Sequence, residues 1–243
     1  MSRYAITFSF DGTLYHGWQI QPNGVSVQEK LQDSLTTLLR QDISVVGAGR
    51  TDAGVHARKM VAHFDVEQAV DCEQLMYRLN RILPKDISVF QVEQVSDEFH
   101  ARFSAVRRTY HYYVHTRKDP FRRHYSYELY TRLDFELMNQ AASLLLDVTD
   151  FGAFCKSNSD AKTTICHVVC AHWVKETADN WYFEIAADRF LRNMVRAIVG
   201  TLLEVGRHRM SLEDFGKVVA SKRRTEAGES VPGHALFLEN VEY

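Results

Sequence analysis

Between residues 4 and 95 the apolar residues change period in a fixed order, and that order limits the folds open to the chain. Residues 4–10 alternate as a strand, which Asp11-Gly12 closes. Ser26-Val27-Gln28-Glu29 fits a capping box, in which Ser26 and Glu29 each satisfy a free helix-end amide. Val27, Leu31, Leu35, Leu38 and Leu39 then recur at helical spacing and give one apolar face for a sheet. Strands are expected at 43–48 and 58–66. A second helix starts near Asp71 with Leu75, Leu79, Ile82 and Leu83 on one face, and Pro84 ends it. A strand at 87–95 completes the series.

The resulting order, βαββαβ, is the split arrangement of ferredoxin-like folds. From about residue 105 the order recurs without a sequence repeat. A Tyr-rich strand covers 107–115, and a helix from Asp134 turns Leu137, Ala141, Leu144 and Leu145 inward. Strands at 164–175 and 181–188 follow, then a long helix from Phe190 to Val205. A shorter helix at 211–220 opens on Ser211-Leu212-Glu213-Asp214, and 235–242 gives a last strand. The expected class is α+β: two ferredoxin-like βαββαβ halves sharing a mixed, mainly antiparallel sheet, with a cleft between them. Residues 1–104 form one half and 105–243 the other. The connection at 96–104 is neither Gly- nor Pro-rich, so the halves are expected to pack as one rigid body.

Such a fold hosts many activities, so chemistry must come from particular residues. Net charge is −2, which argues against nucleic-acid binding through bulk charge alone. The distribution is more telling. Arg102, Arg107, Arg108, Arg117, Lys118, Arg122 and Arg123 lie in one stretch against a single acid, Asp119. Interleaved with Tyr110, Tyr112, Tyr113 and Phe121, this block reads as a phosphate-tracking groove with stacking surfaces. No apolar run reaches the roughly 18 residues of a membrane helix. Met1-Ser2-Arg3-Tyr4 runs directly into the first strand pattern without a secretory signal, so a cytoplasmic location is expected. The cysteines, 72, 155, 166 and 170, are too scattered for a disulfide scaffold. Cys166, Cys170 and His172 would share one face of a strand, but without a second ligand pair they make a poor tetrahedral site. Reduced, partly buried thiols and no metal are expected.

The segment Gly47-Ala48-Gly49-Arg50-Thr51-Asp52-Ala53-Gly54-Val55-His56-Ala57 joins two strand-like runs. A hairpin needs only turn residues, yet this one carries Arg50, Asp52 and His56 among glycines and alanines. Its glycine spacing fits neither a dinucleotide fingerprint nor a phosphate loop. A carboxylate in so small-sided a loop can meet a substrate unobstructed.

Gly-Arg-Thr-Asp-Ala-Gly-Val-His-Ala resembles the signature of the tRNA pseudouridine synthase A family. The run from Phe10-Asp11-Gly12 to Gly17-Trp18-Gln19 resembles the same family's opening motif. Arg108-Thr109-Tyr110 is similar to its second motif, and the stretch from Phe190 to Gly200 to its third. The resemblance implies that Asp52 is the catalytic aspartate and that Arg50 contacts the RNA and helps hold the target nucleotide out of the stack. It implies that Tyr110 stacks on the target base and that Arg196 pairs with Asp52. Arg189, Arg192 and Arg196 are expected along one side of the 190–205 helix. The implied substrates are uridines of the tRNA anticodon arm (tRNA positions 38, 39 and 40), acted on without a cofactor by a homodimer. Two departures stand out: Thr164-Ile165-Cys166 replaces a Thr-x-Arg pattern, and Ala235-Leu236-Phe237-Leu238 replaces Gly-Leu-x-Leu. The competing readings are a non-catalytic RNA-binding module with Tyr110 and Tyr112 as stacking platforms, and an Asp-dependent hydrolase. The hydrolase lacks a second catalytic carboxylate or a water-activating metal pattern.

Overall fold

The computed structural model describes residues 1–157, 159 and 161–243. The chain is α+β, with mainly antiparallel strands and, among the described residues, five α-helices. It divides into two compact units, Met1–Val106 with Leu238–Tyr243, and Arg107–Phe237.

The first unit runs β1 (Ser2–Phe10), α1 (Val27–Leu39), β2 (Val46–Gly47), β3 (His56–Val66), α2 (Cys72–Ile82) and β4 (Ile87–Val95). β1 is central and pairs antiparallel with both β3 and β4, while β2 pairs with β3. The Ser26 capping box forms as expected. Val27, Leu31 and Leu35 of α1, with Ile6, Phe8, Met60, Phe64 and Leu79, make the core. Burying each such side chain is worth about 1.5–3 kcal/mol. On α2, Leu75 and Leu79 are buried, but Ile82 is exposed because the helix ends there and Pro84 turns the chain away.

The expected strand at 43–48 shrinks to the two residues of β2. Ile43 and Val45 are buried, yet their backbone is satisfied by α1 and not by a strand. Thr36 Oγ1 and Gln32 Oε1 accept from the amides of Ile43 and Val45, and Gln28 Nε2 donates to the Val45 carbonyl at 2.7 Å. Residues 28, 32 and 36 form one helical stripe, a polar rail beside the segment that leads into the 47–57 loop.

The second unit contains β5 (Arg107–His115), β6 (Tyr127–Glu128), α3 (Phe135–Ser143), β7 (Val168–Lys175), β8 (Asn180–Ala187), α4 (Met194–Gly206) and α5 (Leu212–Ser221). β8 pairs antiparallel with β5 and β7, and β6 pairs parallel with β5. A last strand, β9 (Leu236–Glu242), carries Glu239, whose carboxylate takes the Arg58 guanidinium at 3.1 Å within the first unit.

Three expectations here need correction. The inward face of α3 is Met138, Ala141, Ala142 and Leu145, whereas Leu144 is exposed. The i, i+3, i+4, i+7 spacing of 138, 141, 142 and 145 fits one helical stripe, and Leu144 already lies in the 3-10 turn that follows. Cys166 shares no strand face with Cys170 and His172, because β7 starts only at Val168. The long helix starts at Met194, not Phe190, because Asn193 adopts a left-handed conformation (φ 67°) as its N-cap. Arg189 and Arg192 therefore precede the helix, and Arg196 alone of the three arginines lies on it.

Candidate active site

The loop at 47–57 is tied to β3 through the Ala48 amide, which donates to the Val61 carbonyl at 2.8 Å, and is then braced by the segment from Asp11 to Trp18. The Trp18 amide donates to the Thr51 carbonyl at 3.3 Å, and the Gly54 amide to the Tyr15 carbonyl at 3.3 Å. Gly17 has φ +90°, and a β-carbon there would collide with the Thr51 carbonyl. Only glycine meets both demands. The Trp18 indole is buried, tilted against Phe8 at 5.7 Å, and fills the space a Gly47 side chain would need. Tyr15 is buried too, its hydroxyl donating to Asp86 Oδ1 at 2.6 Å. Burial and the Asp86 carboxylate push the phenol's pKa well up, so it stays a neutral strut.

Within the loop, the Val55 amide donates to the Asp52 carbonyl at 3.1 Å, closing a turn over Asp52-Ala53-Gly54-Val55. Gly54 at its third position has φ 75°, as a type II turn demands. The turn fixes the Asp52 backbone and leaves its side chain half-buried. Arg50 is exposed. Thr51 Oγ1 is buried and has no hydrogen-bond partner among the described residues. His56 is buried, with Nδ1 3.0 Å from the Gly12 amide and 3.0 Å from Asp11 Oδ1. Without a proton, Nδ1 accepts from the amide; with one it donates to the carboxylate, so this nitrogen serves one of them at a time. Tyr15, Trp18 and His56 were not assigned roles from sequence. The signal was available in the pairing of two glycine-rich motifs, but nothing in a linear pattern says which one buttresses the other.

In the second unit, Tyr110 lies on β5 with Arg108 and Tyr112 on the same buried face. Its ring meets Phe190 edge-on at 5.0 Å and retains 8 % exposure. Tyr112 has no exposure and donates to the Pro232 carbonyl at 3.0 Å. It is therefore core and cannot be the stacking platform that the RNA-binding-module reading gives it. Arg108 is buried as well and donates to the Asp188 carbonyl at 2.6 Å.

Arg196 is half-buried on α4, with Val195, Ile198 and Val199 buried around it. Its Nε donates to the Val231 carbonyl at 2.7 Å, while the Val231 amide donates to the Arg196 carbonyl at 3.2 Å. The 229–232 segment lies so close to α4 that the Glu229 carbonyl occupies the place of a Gly200 β-carbon. Asn193 Nδ2 adds a bond to Ser230 Oγ at 2.5 Å. The guanidinium Nε is thus held by a backbone carbonyl 35 residues away. Sequence reasoning missed this strap, because residues 229–232 carry no catalytic residue type in a recognisable pattern.

The basic stretch is less uniform than its composition. Arg122 is paired with Asp119 at 3.8 Å and with Glu176 at 3.3 Å. Arg117, Lys118 and Arg123 are exposed, as are the rings of Phe121 and Tyr125. No helix is long and apolar enough to cross a membrane.

Residues 6–104 and 141–243 match the family described as tRNA pseudouridine synthase. A tRNA pseudouridine synthase A of Bacteroides thetaiotaomicron is 58 % identical over 245 residues, covering 100 % of this chain and 91 % of the relative. That of Bacteroides fragilis is 55 % identical, covering 100 % and 97 %. The Bacillus subtilis protein is 42 % identical, covering 99 % of both chains. Identity of this extent, across both units and the 47–57 loop, places the chain: it belongs to the tRNA pseudouridine synthase A family.

Proposed function

We propose that this tRNA pseudouridine synthase, an RNA-uridine isomerase, acts on uridines 38, 39 and 40 of the tRNA anticodon arm with Asp52 as its catalytic residue. The observation that carries the reading is the full-length match to tRNA pseudouridine synthases A, together with a loop built to present one carboxylate. Isomerisation breaks the glycosidic C–N bond and forms a C–C bond at C5 of the same base. The C5 hydrogen leaves and N1 gains a proton, so there is no net redox change and no cofactor is called for. Asp52 serves as nucleophile or as a base toward the sugar, and either role needs the ionised form. An adjacent guanidinium favours that form, which is the physical reason for pairing Arg196 with Asp52.

The target base must first leave the stack, at a cost of a few kcal/mol. In this reading Arg50, exposed on the loop, occupies the vacated space, and the edge of Tyr110 receives the flipped base. The unpaired Thr51 hydroxyl gains a partner from the substrate. Arg117, Lys118 and Arg123, with the exposed Phe121 ring, track phosphates and stack. Each half, 1–104 and 105–243, is then a ferredoxin-like domain, and Asp52, Tyr110 and Arg196 act on the same flipped uridine. A cytoplasmic homodimer that grips one tRNA completes the proposal, since the basic stretch is short for a folded tRNA.

The test is incubation of the pure protein with unmodified tRNA, followed by mapping of pseudouridine. Conversion at 38–40 is expected. Binding without conversion would favour a non-catalytic RNA-binding module. Light scattering at micromolar concentration should give about twice the chain's 28.0 kDa, and a monomer with and without tRNA would remove the dimer.

A further inference from the structure

On the side of the second unit's sheet opposite Tyr110 and Tyr112, four polar side chains from three strands converge. Cys170 Sγ of β7 lies 3.2 Å from His172 Nδ1 and 3.4 Å from Glu184 Oε1 of β8. The ligand atoms of these three all fall within 4.8 Å of one another. Behind them, His111 Nε2 of β5 sits 3.0 Å from Glu184 Oε2, its Nδ1 lies 3.3 Å from the Tyr113 hydroxyl, and its ring stacks on Tyr182 at 4.4 Å.

The backbone arranges this grouping. His111 and His172 both stand opposite Glu184, one on each neighbouring strand. Cys170 and His172 reach that face only through a bulge: Val168 pairs with Ala187, but Cys170 pairs with Ala186. An uninterrupted strand would keep Cys170 and His172 on the same side as buried Val168. The extra residue at 169 reverses the phase and turns both out toward Glu184. The second ligand source that the linear spacing of Cys170 and His172 lacked is therefore supplied by the register of β8.

We propose that Cys170, His172 and Glu184 form a zinc(II) site, with His111 orienting the Glu184 carboxylate and a fourth position open to water. The donor set, one thiolate, one imidazole and one carboxylate, suits a borderline-soft ion and not magnesium or calcium. Bonds of about 2.3 Å to sulfur and about 2.0–2.2 Å to nitrogen and oxygen put tetrahedral ligand atoms roughly 3.3–3.7 Å apart. The two spacings at sulfur, 3.2 and 3.4 Å, are close to this, and the imidazole and carboxylate, within 4.8 Å, would draw in on the ion. The His111–carboxylate contact is the kind of support that holds a metal ligand in direction. His172 is exposed and the other two ligands are half-buried, so the ion has an open route from solvent. On binding, the Cys170 S–H bond breaks, a sulfur–zinc bond forms and the proton goes to solvent.

The test uses the full chain stripped with chelator. Zinc(II) is titrated against a chromophoric chelator, and cobalt(II) is added separately as a spectroscopic probe. Wild type should bind one ion and show a thiolate-to-cobalt charge-transfer band with tetrahedral visible absorption. Cys170→Ser should abolish the band, and His172→Ala and Glu184→Gln should each weaken zinc binding at least tenfold. His111→Asn should weaken it by roughly tenfold to a hundredfold, and Cys72→Ser not at all. Zinc should raise the melting temperature of wild type but not of Cys170→Ser. His172 is exposed, so its variant tests the site without a change in the core. Equal zinc affinity in wild type and both the Cys170 and His172 variants, or no charge-transfer band in wild type, would overturn the site.

Discussion

Asp52 and Arg196 are held in opposite ways. Asp52 sits on a loop whose shape is imposed from outside, by the Trp18 and Tyr15 backbone, a buried indole and glycines where β-carbons would collide. Arg196 sits on a regular helix, and the Val231 carbonyl holds its Nε in direction. Loops carry chemistry because they can place a side chain where no element surface reaches, but they need bracing to hold it there. A helix supplies position without help and leaves only direction to be set. The difference predicts distant sensitivity for Asp52 and local sensitivity for Arg196.

The largest effect is expected at the carboxylate itself. Asp52→Asn should abolish isomerisation while tRNA binding survives, because phosphate contacts carry most of the affinity. Measurable turnover in a clean preparation would remove Asp52 from its role.

Next comes Arg196→Lys, which should keep the fold but lower the single-turnover rate about a hundredfold. A lysine ammonium keeps the charge but cannot hold both the Val231 carbonyl and a carboxylate in a fixed plane, and a misplacement of about 1 Å costs on this order. Near wild-type activity would show that charge alone suffices. Arg196→Ala combined with Asp52→Asn should melt higher than Arg196→Ala alone, and additive melting shifts would dissolve the pair.

Gly17→Ala probes the bracing at a distance. It touches no substrate, yet the new methyl group meets the Thr51 carbonyl one residue from Asp52. A shift of a few tenths of an ångström should lower the rate roughly tenfold with tRNA affinity unchanged. An unchanged rate would mean that the loop does not depend on its buttress.

The smallest effect concerns the frame under the loop. His63 stands opposite Val46 at the loop's entry and accepts the Ala101 amide at Nδ1, 3.1 Å away. Burial, with Arg3 and His100 adding repulsion, lowers its pKa to about 4. The folded state prefers the neutral ring, so its stabilising contribution is present above the ordinary histidine pKa of 6.5 and is lost as pH falls toward 4. The loss should be on the order of 2 kcal/mol after allowance for solvent near the ring. His63→Asn should flatten the pH dependence of stability in that interval; an identical slope would assign the effect elsewhere.

Much of this was legible in the sequence. The capping box at Ser26, the N-caps at Asp71, Asp134 and Ser211, and the βαββαβ order follow from local rules, and the structure contains them. The motif around Asp52 marked the loop through its resemblance to the family signature; by composition alone it reads as a polar hairpin. Failures came where a residue's neighbour is far away in sequence. Residues 43–45 read as strand because they are apolar, but α1 side chains took their hydrogen bonds. The 190–205 run read as one helix because its periodicity continues past a left-handed Asn193. Tyr110 and Tyr112 share a buried strand face, and only packing left the first an edge with 8 % exposure and the second none.

Local propensity and periodicity thus determined most helices and strands, since those properties act over a few residues, while the resemblance of the 47–57 motif singled out the loop proposed to carry the chemistry. Tertiary structure decided the buttress of Trp18 on Gly47, the strap of Val231 on Arg196, and the phase of β7 that brings Cys170 to Glu184. Each of these depends on register or close approach between segments distant in the chain. A shift of one residue there reverses which side chains meet, and no local pattern records it.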